Sequence, residues 1–161
     1  MKTTRVRFMT QAAMIAAIYV VLTIFISAFN LASGAIQIRI SEALTILPAF
    51  TPAAIPGLFL GCLISNLITG AMLPDIIFGS LATLLGALGS YFVRKWKWAV
   101  PVPPILSNMI IIPFVLAYAY HIPGGVPYFM LTIGIGEVLS CGVLGMILYG
   151  TIAKYRNVLF K

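Results

Sequence analysis

The sequence predicts an all-α integral membrane protein of six transmembrane helices with both termini in the cytoplasm. Three observations carry that prediction. Apolar residues fill 61% of the 161 positions and only 8% are charged, against about 25% in a soluble domain. Such a chain cannot coat a water-facing surface. Uncharged runs cover residues 8–38, 43–74, 76–93, 98–136 and 138–153. At roughly 20 residues per crossing they hold five or six spans, leaving 1–161 as one transmembrane domain. Finally, nine of the ten Lys and Arg residues fall in three clusters, Lys2/Arg5/Arg7, Arg94/Lys95/Lys97 and Lys154/Arg156/Lys161, and such clusters mark the cytoplasmic side.

The elements follow in order. The basic start before an apolar stretch is superficially like a signal peptide, but no polar mature domain follows, so residues 9–29 read as span one, closed by Asn30 and the Ala-Ser-Gly of 32–34. Residues 41–70 fit one long helix or two short ones, and charge parity decides. With all three basic clusters inside, an even number of crossings must separate neighbours, and residues 8–93 are too many for two. Four crossings require 41–70 to fold back at Thr51-Pro52, between Pro48 and Pro56, where each proline removes a helix hydrogen bond. Span four is 75–93. Span five is 102–120, entered through Pro101, Pro103 and Pro104, and span six is 128–154, after the turn from Pro123 to Pro127.

The polar groups inside this apolar chain are the functional candidates. Every acid lies in a span or at its edge: Glu42, Asp75 and Glu137. A charge at the bilayer centre costs about 2.5–3.5 kcal/mol on insertion scales, and such residues face a cavity or a partner. Arg39, the one basic residue outside the clusters, stands three residues before Glu42 and can pair with it across a helical turn. Asp75 follows a proline at a helix start and can offset the helix dipole. Glu137, ten residues into span six, has neither excuse. Asn66 and Asn108 are amides suited to helix glue or to a ligand. Phe78, Tyr118, Tyr120, Tyr128 and Phe129 read mainly as an outer aromatic belt, with one or two available to stack on a ring. Small residues four apart mark close helix contacts at Ala12/Ala16 and Ala13/Ala17, at Gly57/Gly61, and at Ala82/Gly86/Ser90.

Other classes are excluded. Cys62 and Cys141 sit in apolar runs and read as packed hydrophobes, the single histidine is His121, and no metal-ligand spacing occurs. No phosphate-binding glycine loop or catalytic set is present, so the expectation is binding without catalysis, metal or cofactor. The net charge of +7 belongs to the topology clusters beside an anionic leaflet, not to a nucleic-acid surface.

The strings QIRISEAL (37–44), FTPAAIPG (50–57), DIIFGSLAT (75–83), PPILSN (103–108) and GIGE (134–137) together resemble the QueT family, the queuosine-precursor S components of energy-coupling factor (ECF) transporters. The resemblance covers nearly the whole chain. It implies the six-helix S-component fold in the cell membrane, and as partners an energy-coupling transmembrane subunit and two ATPase subunits. Ala12, Ala13, Ala16 and Ala17 would form the docking surface for the coupling subunit. The implied substrate is a 7-deazaguanine (preQ1, preQ0 or queuine). Glu137 would accept the two parallel donors of its guanine edge, Asp75 or Glu42 would meet an ammonium, Arg39, Asn66 and Asn108 would meet the remaining polar atoms, and Phe78 or a tyrosine would cover the ring. Residues 30–40 are suited to a lid. Another vitamin-like ligand, or a stand-alone secondary transporter, is the alternative, although no internal repeat supports the latter.

Overall fold

Charge parity places a reversal at Thr51-Pro52, and the chain does turn there. In the computed structural model, which describes residues 2–28, 39–121 and 123–159, every regular element is helical. Helix α1 (Lys2–Ala28) is followed, after residues outside the described set, by a 3-10 helix (Ile40–Ala49) and α2 (Ala54–Ile68). The turn between them is pinned by Ala53 N–H donating to Thr51 Oγ1 at 3.3 Å and by Thr51 Oγ1 donating to Gln11 Oε1 of α1 at 3.0 Å. Then come α3 (Leu73–Phe92), a short 3-10 turn at Lys97–Ala99, α4 (Val102–Tyr118), α5 (Val126–Glu137) and α6 (Gly145–Leu159). Gln37 and nearly all of the expected lid lie outside the described residues.

The second expected span differs in kind. Residues Ile40–Ala49 form a 3-10 helix rather than a short α-helix, with Pro48 inside it. Ten residues at about 2.0 Å each rise only about 20 Å, and the 15 residues of α2 rise about 22 Å, both short of a hydrocarbon core of about 30 Å. Four helices are long and apolar enough to cross: Thr4–Ala28, Leu73–Phe92, Lys97–Tyr118 and Val126–Tyr155. The short 3-10 helix is enclosed by its neighbours. Every residue from Ser41 to Pro48 is buried, and the element packs against α1, α3 and α6. Its Leu44, Ile46 and Leu47 join Ile15, Tyr19, Leu58 and Ile152 in the main apolar core.

Helix packing follows the small residues. A Cβ placed on Gly57 would lie 2.7 Å from the Ala12 carbonyl oxygen, and one on Gly61 would lie 2.8 Å from Tyr19 Cβ. Only glycine lets α1 and α2 approach so closely. This corrects the reading of the α1 alanines. Ala16 is buried and Ala12 half-buried against α2, whereas Ala13 and Ala17 are exposed. The four residues therefore form two faces, and one of them is used within the chain. On α3, Ala82, Gly86 and Ser90 are all buried. A Cβ on Gly86 would stand 2.6 Å from Pro104 Cα, and Ser90 Oγ donates to the Val100 carbonyl at 2.7 Å.

The expected sixth span is one helical rod with a widened middle. Between α5 and α6 the backbone takes a π-helical form over Val138–Leu144, directly after Glu137. Such segments are rare and recur at functional sites.

Candidate substrate-binding site

Two carboxylates meet at the centre of the bundle. Glu42, near the start of the 3-10 helix, is wholly buried, and Glu137, at the end of α5, is 6% exposed. Asn108 of α4 bridges toward them: its Nδ2 donates to Glu137 Oε1 at 3.0 Å, and the same amide, with Thr83 of α3, lies within polar reach of Glu42. Tyr19 of α1 donates its hydroxyl to Glu42 Oε1. Cys141, one helical turn after Glu137, donates its thiol to Glu137 Oε2 at 3.1 Å and receives the Thr45 hydroxyl at 3.4 Å. Oxygen atoms of Glu42 and Glu137 and the Cys141 sulfur lie within 4.8 Å of one another, a donor set able to hold a cation. Glu42 Oε2 is buried without a hydrogen-bond partner. A buried unpartnered carboxylate oxygen is costly, and the Asn108 amide and Thr83 hydroxyl are the donors nearest at hand.

A second polar group lies toward the α3 N-terminus. Asp75 stands in the first turn of α3, where its charge suits the helix dipole. Its Oδ2 accepts from the Tyr120 hydroxyl at 3.0 Å, and that hydroxyl accepts from the Met72 N–H at 3.1 Å. Asn66 Nδ2 donates to the Asp75 carbonyl at 3.4 Å, tying α2 to α3. Glycine at 79 leaves the space that Asp75 and Asn66 occupy, since a Cβ there would stand 3.1 Å from Asp75 Oδ1. Replacing Tyr120 by Phe strips both Asp75 and Met72 of a partner at a half-exposed site. The expected result is a stability loss of about 1 kcal/mol, measured as a lower melting temperature in detergent; an unchanged melting temperature would remove this clasp from the fold.

Arg39 links the two groups. Asp75 and Glu42 both lie within its electrostatic reach. The reach to Glu42 is what their spacing leads one to expect, inside a wider arrangement in which Tyr19 donates its hydroxyl to Glu42. Arg39, Ile112, Ile133 and Glu137 enclose a cavity of about 10 Å³, barely enough for one water. A heterocycle enters only if Arg39 and the α4 and α5 side chains Ile112 and Ile133 draw apart.

Of the residues expected from sequence, the structure thus joins Glu137, Asn108 and Glu42 directly, and sets Arg39, Asp75 and Asn66 beside them. Phe78 is not brought in. Its ring is half-exposed, in an open apolar groove with Pro74, Ile110, Phe114 and Tyr118, on a face suited to lipid. Tyr19, Thr45, Thr83 and Cys141 were not anticipated. Two carried a signal: Cys141 falls four residues after Glu137, on the same helical face, and Tyr19 continues the buried strip of Ile15 and Ala16.

The fold is that of an all-helical membrane protein, with four helices long and apolar enough to cross and a carboxylate- and amide-rich cluster buried among its helices. The chain belongs to the QueT transporter family, whose model matches residues 9–154. It is similar to the Queuosine precursor transporter QueT of Lactococcus lactis subsp. cremoris (strain MG1363), with 34% identity over 98 residues, which are 60% of this chain. The match spans 57% of that protein's length. No solved structure matches the chain.

Proposed function

We propose that this chain is the substrate-binding subunit of an ATP-driven ECF importer in the cell membrane, capturing a 7-deazaguanine precursor of queuosine from outside. In this reading residues 1–161 form one domain that crosses six times with both termini cytoplasmic, the 3-10 helix and α2 together making the short second and third passages. The observation that carries it is the buried Glu42–Asn108–Glu137 constellation in a member of a transporter family. A carboxylate accepts the ring N1–H and the exocyclic amino group side by side, and Glu137 is the acceptor set deepest along its helix. Asn108 and Arg39 donate to the ring carbonyl, while Asp75 and Asn66 line the entrance. The work of the chain is binding, not bond-making. With no phosphate loop of its own, it depends on two ATPase subunits acting through a coupling transmembrane subunit, which docks on the exposed Ala13/Ala17 strip of α1.

Calorimetry on the purified chain is expected to show saturable 7-deazaguanine binding. Vesicles holding the chain alone are expected to accumulate none, and vesicles that also hold the coupling and ATPase subunits to accumulate it with ATP. Uptake by the chain alone would overturn the importer-subunit reading.

A further inference from the structure

We propose that the connection between α3 and α4, residues 93–101, is a preformed docking surface for the headgroups of anionic phospholipids. It concerns a part of the chain that ligand capture does not use.

The connection reads Val-Arg-Lys-Trp-Lys-Trp-Ala-Val-Pro. A topology signal needs only positive charge, and the clusters Lys2/Arg5/Arg7 and Lys154/Arg156/Lys161 are of that plain kind, with no tryptophan among them. The middle cluster differs. Both tryptophans of the chain, Trp96 and Trp98, alternate with its cations, and indole rings favour the headgroup level of a bilayer. The two side chains are 73% and 72% exposed, and Phe92, which ends the apolar α3, is 77% exposed. So much aromatic surface at the edge of a span marks a contact with something outside the chain.

The loop is held in shape. Trp96 N–H donates to the Val93 carbonyl at 2.9 Å, and Ala99 N–H donates to the Trp96 carbonyl at 2.8 Å. Val100 is wholly buried, its carbonyl taken by Ser90 Oγ. A Cβ on Gly89 would stand 2.4 Å from Pro103 Cβ, so α3 and α4 are locked together at the base of the loop. The exposed groups therefore project from a fixed frame, which lowers the ordering cost of binding.

The cations have no acidic side chain of their own to pair with. The three acids of the chain, Glu42, Asp75 and Glu137, are all buried in the polar groups described above. Aromatic faces support the positive charges instead: Arg94 Cζ lies 3.9 Å from the centroid of the Tyr91 ring, and Lys97 Nζ lies 4.9 Å from that of Trp98. A cation over a ring keeps its charge, so Arg94, Lys95 and Lys97 are balanced from outside the chain. A lipid phosphodiester supplies that charge at the level where the indoles lie. An acidic protein segment matches the charge alone and gives no reason for tryptophan at the end of a span.

Because both tryptophans are in this loop, indole fluorescence reports on it alone. The test is quenching by brominated acyl chains, with the full chain in vesicles of phosphatidylcholine and phosphatidylglycerol and bromine on one lipid or the other. Phosphatidylglycerol in both leaflets makes the result independent of the side the loop faces. Brominated phosphatidylglycerol is expected to quench with an affinity roughly 5-fold above that of brominated phosphatidylcholine, about the effect of one cation at an anionic surface. The preference is expected to vanish in the triple variant Arg94→Gln, Lys95→Gln, Lys97→Gln, and to persist when soluble glycerol phosphate is added. Equal quenching by the two lipids, or a preference that survives in the triple variant, would overturn the proposal. Quenching by neither lipid would overturn it in favour of a protein partner, and displacement by glycerol phosphate in favour of a soluble anion. If the triple variant does not insert, the wild-type ratio decides alone. Substrate binding is read separately by calorimetry, so each of these outcomes leaves the proposed function standing.

Discussion

Glu137→Gln is expected to weaken 7-deazaguanine binding by about 2–4 kcal/mol, roughly 30- to 1000-fold in Kd, with a much smaller effect on the fold. The difference follows from the partners on the two oxygens. Oε1 accepts the Asn108 amide at 3.0 Å and Oε2 accepts the Cys141 thiol at 3.1 Å. A glutamine can keep the first contact through its carbonyl oxygen, so α4 and α5 stay joined. Its amino group then stands where Oε2 was, and a donor faces the donors of the guanine edge. Removing an acceptor and installing a donor leaves buried groups on both sides unsatisfied, the case in which a hydrogen-bond change costs most. Calorimetry reads the affinity and a detergent melting curve reads the fold. Unchanged affinity in a folded variant would remove Glu137 from the site.

Why some of this was legible in the sequence and some was not has a physical answer. Glu137, Glu42 and Asn108 stood out because hydrocarbon excludes charge and unpaired amides, so each such residue needs a reason to be there. The turn at Thr51-Pro52 was legible because prolines fix where a helix stops. The 3-10 form of Ile40–Ala49 was not. Pro48 and the polar Ser41, Glu42 and Thr45 weaken an α-helical reading of this stretch, but nothing in that composition picks a 3-10 winding over a short α-helix. Nor does a local string announce the π segment after Glu137, since a widened turn is a property of the assembled rod. Tyr19 was hidden for a related reason: among the apolar residues of α1 its hydroxyl becomes polar business only when Glu42, 23 positions away, is placed opposite it. Phe78 shows the reverse error. An aromatic on the outer side was available to cover a ring, yet Asp75 is buried while Phe78 is half-exposed.

The alanines of α1 lead to the second large effect. Gly61→Val is expected to destabilise the isolated chain by roughly 3 kcal/mol, the upper end of ordinary overpacking. A Cβ at this position meets Tyr19 Cβ at 2.8 Å, Tyr19 Cγ at 3.1 Å and the Ala16 carbonyl oxygen at 3.1 Å. Neither neighbour can yield cheaply. The carbonyl is helix backbone, and Tyr19 is anchored at its far end by Glu42, so moving it disturbs the binding cluster as well. Ala13→Leu is the informative contrast. Ala13 is exposed on the adjacent strip, so the larger side chain should shift the stability of the chain by no more than about 0.5 kcal/mol while blocking close approach of the coupling subunit. Detergent melting curves and co-purification with that subunit separate the two. If Gly61→Val melts like the wild type, the α1–α2 contact is not what holds these helices together, and Ala12 and Ala16 return to the surface available for docking. If Ala13→Leu folds and still assembles, the Ala13/Ala17 strip is not the docking face, and the partner must be met elsewhere on the bundle.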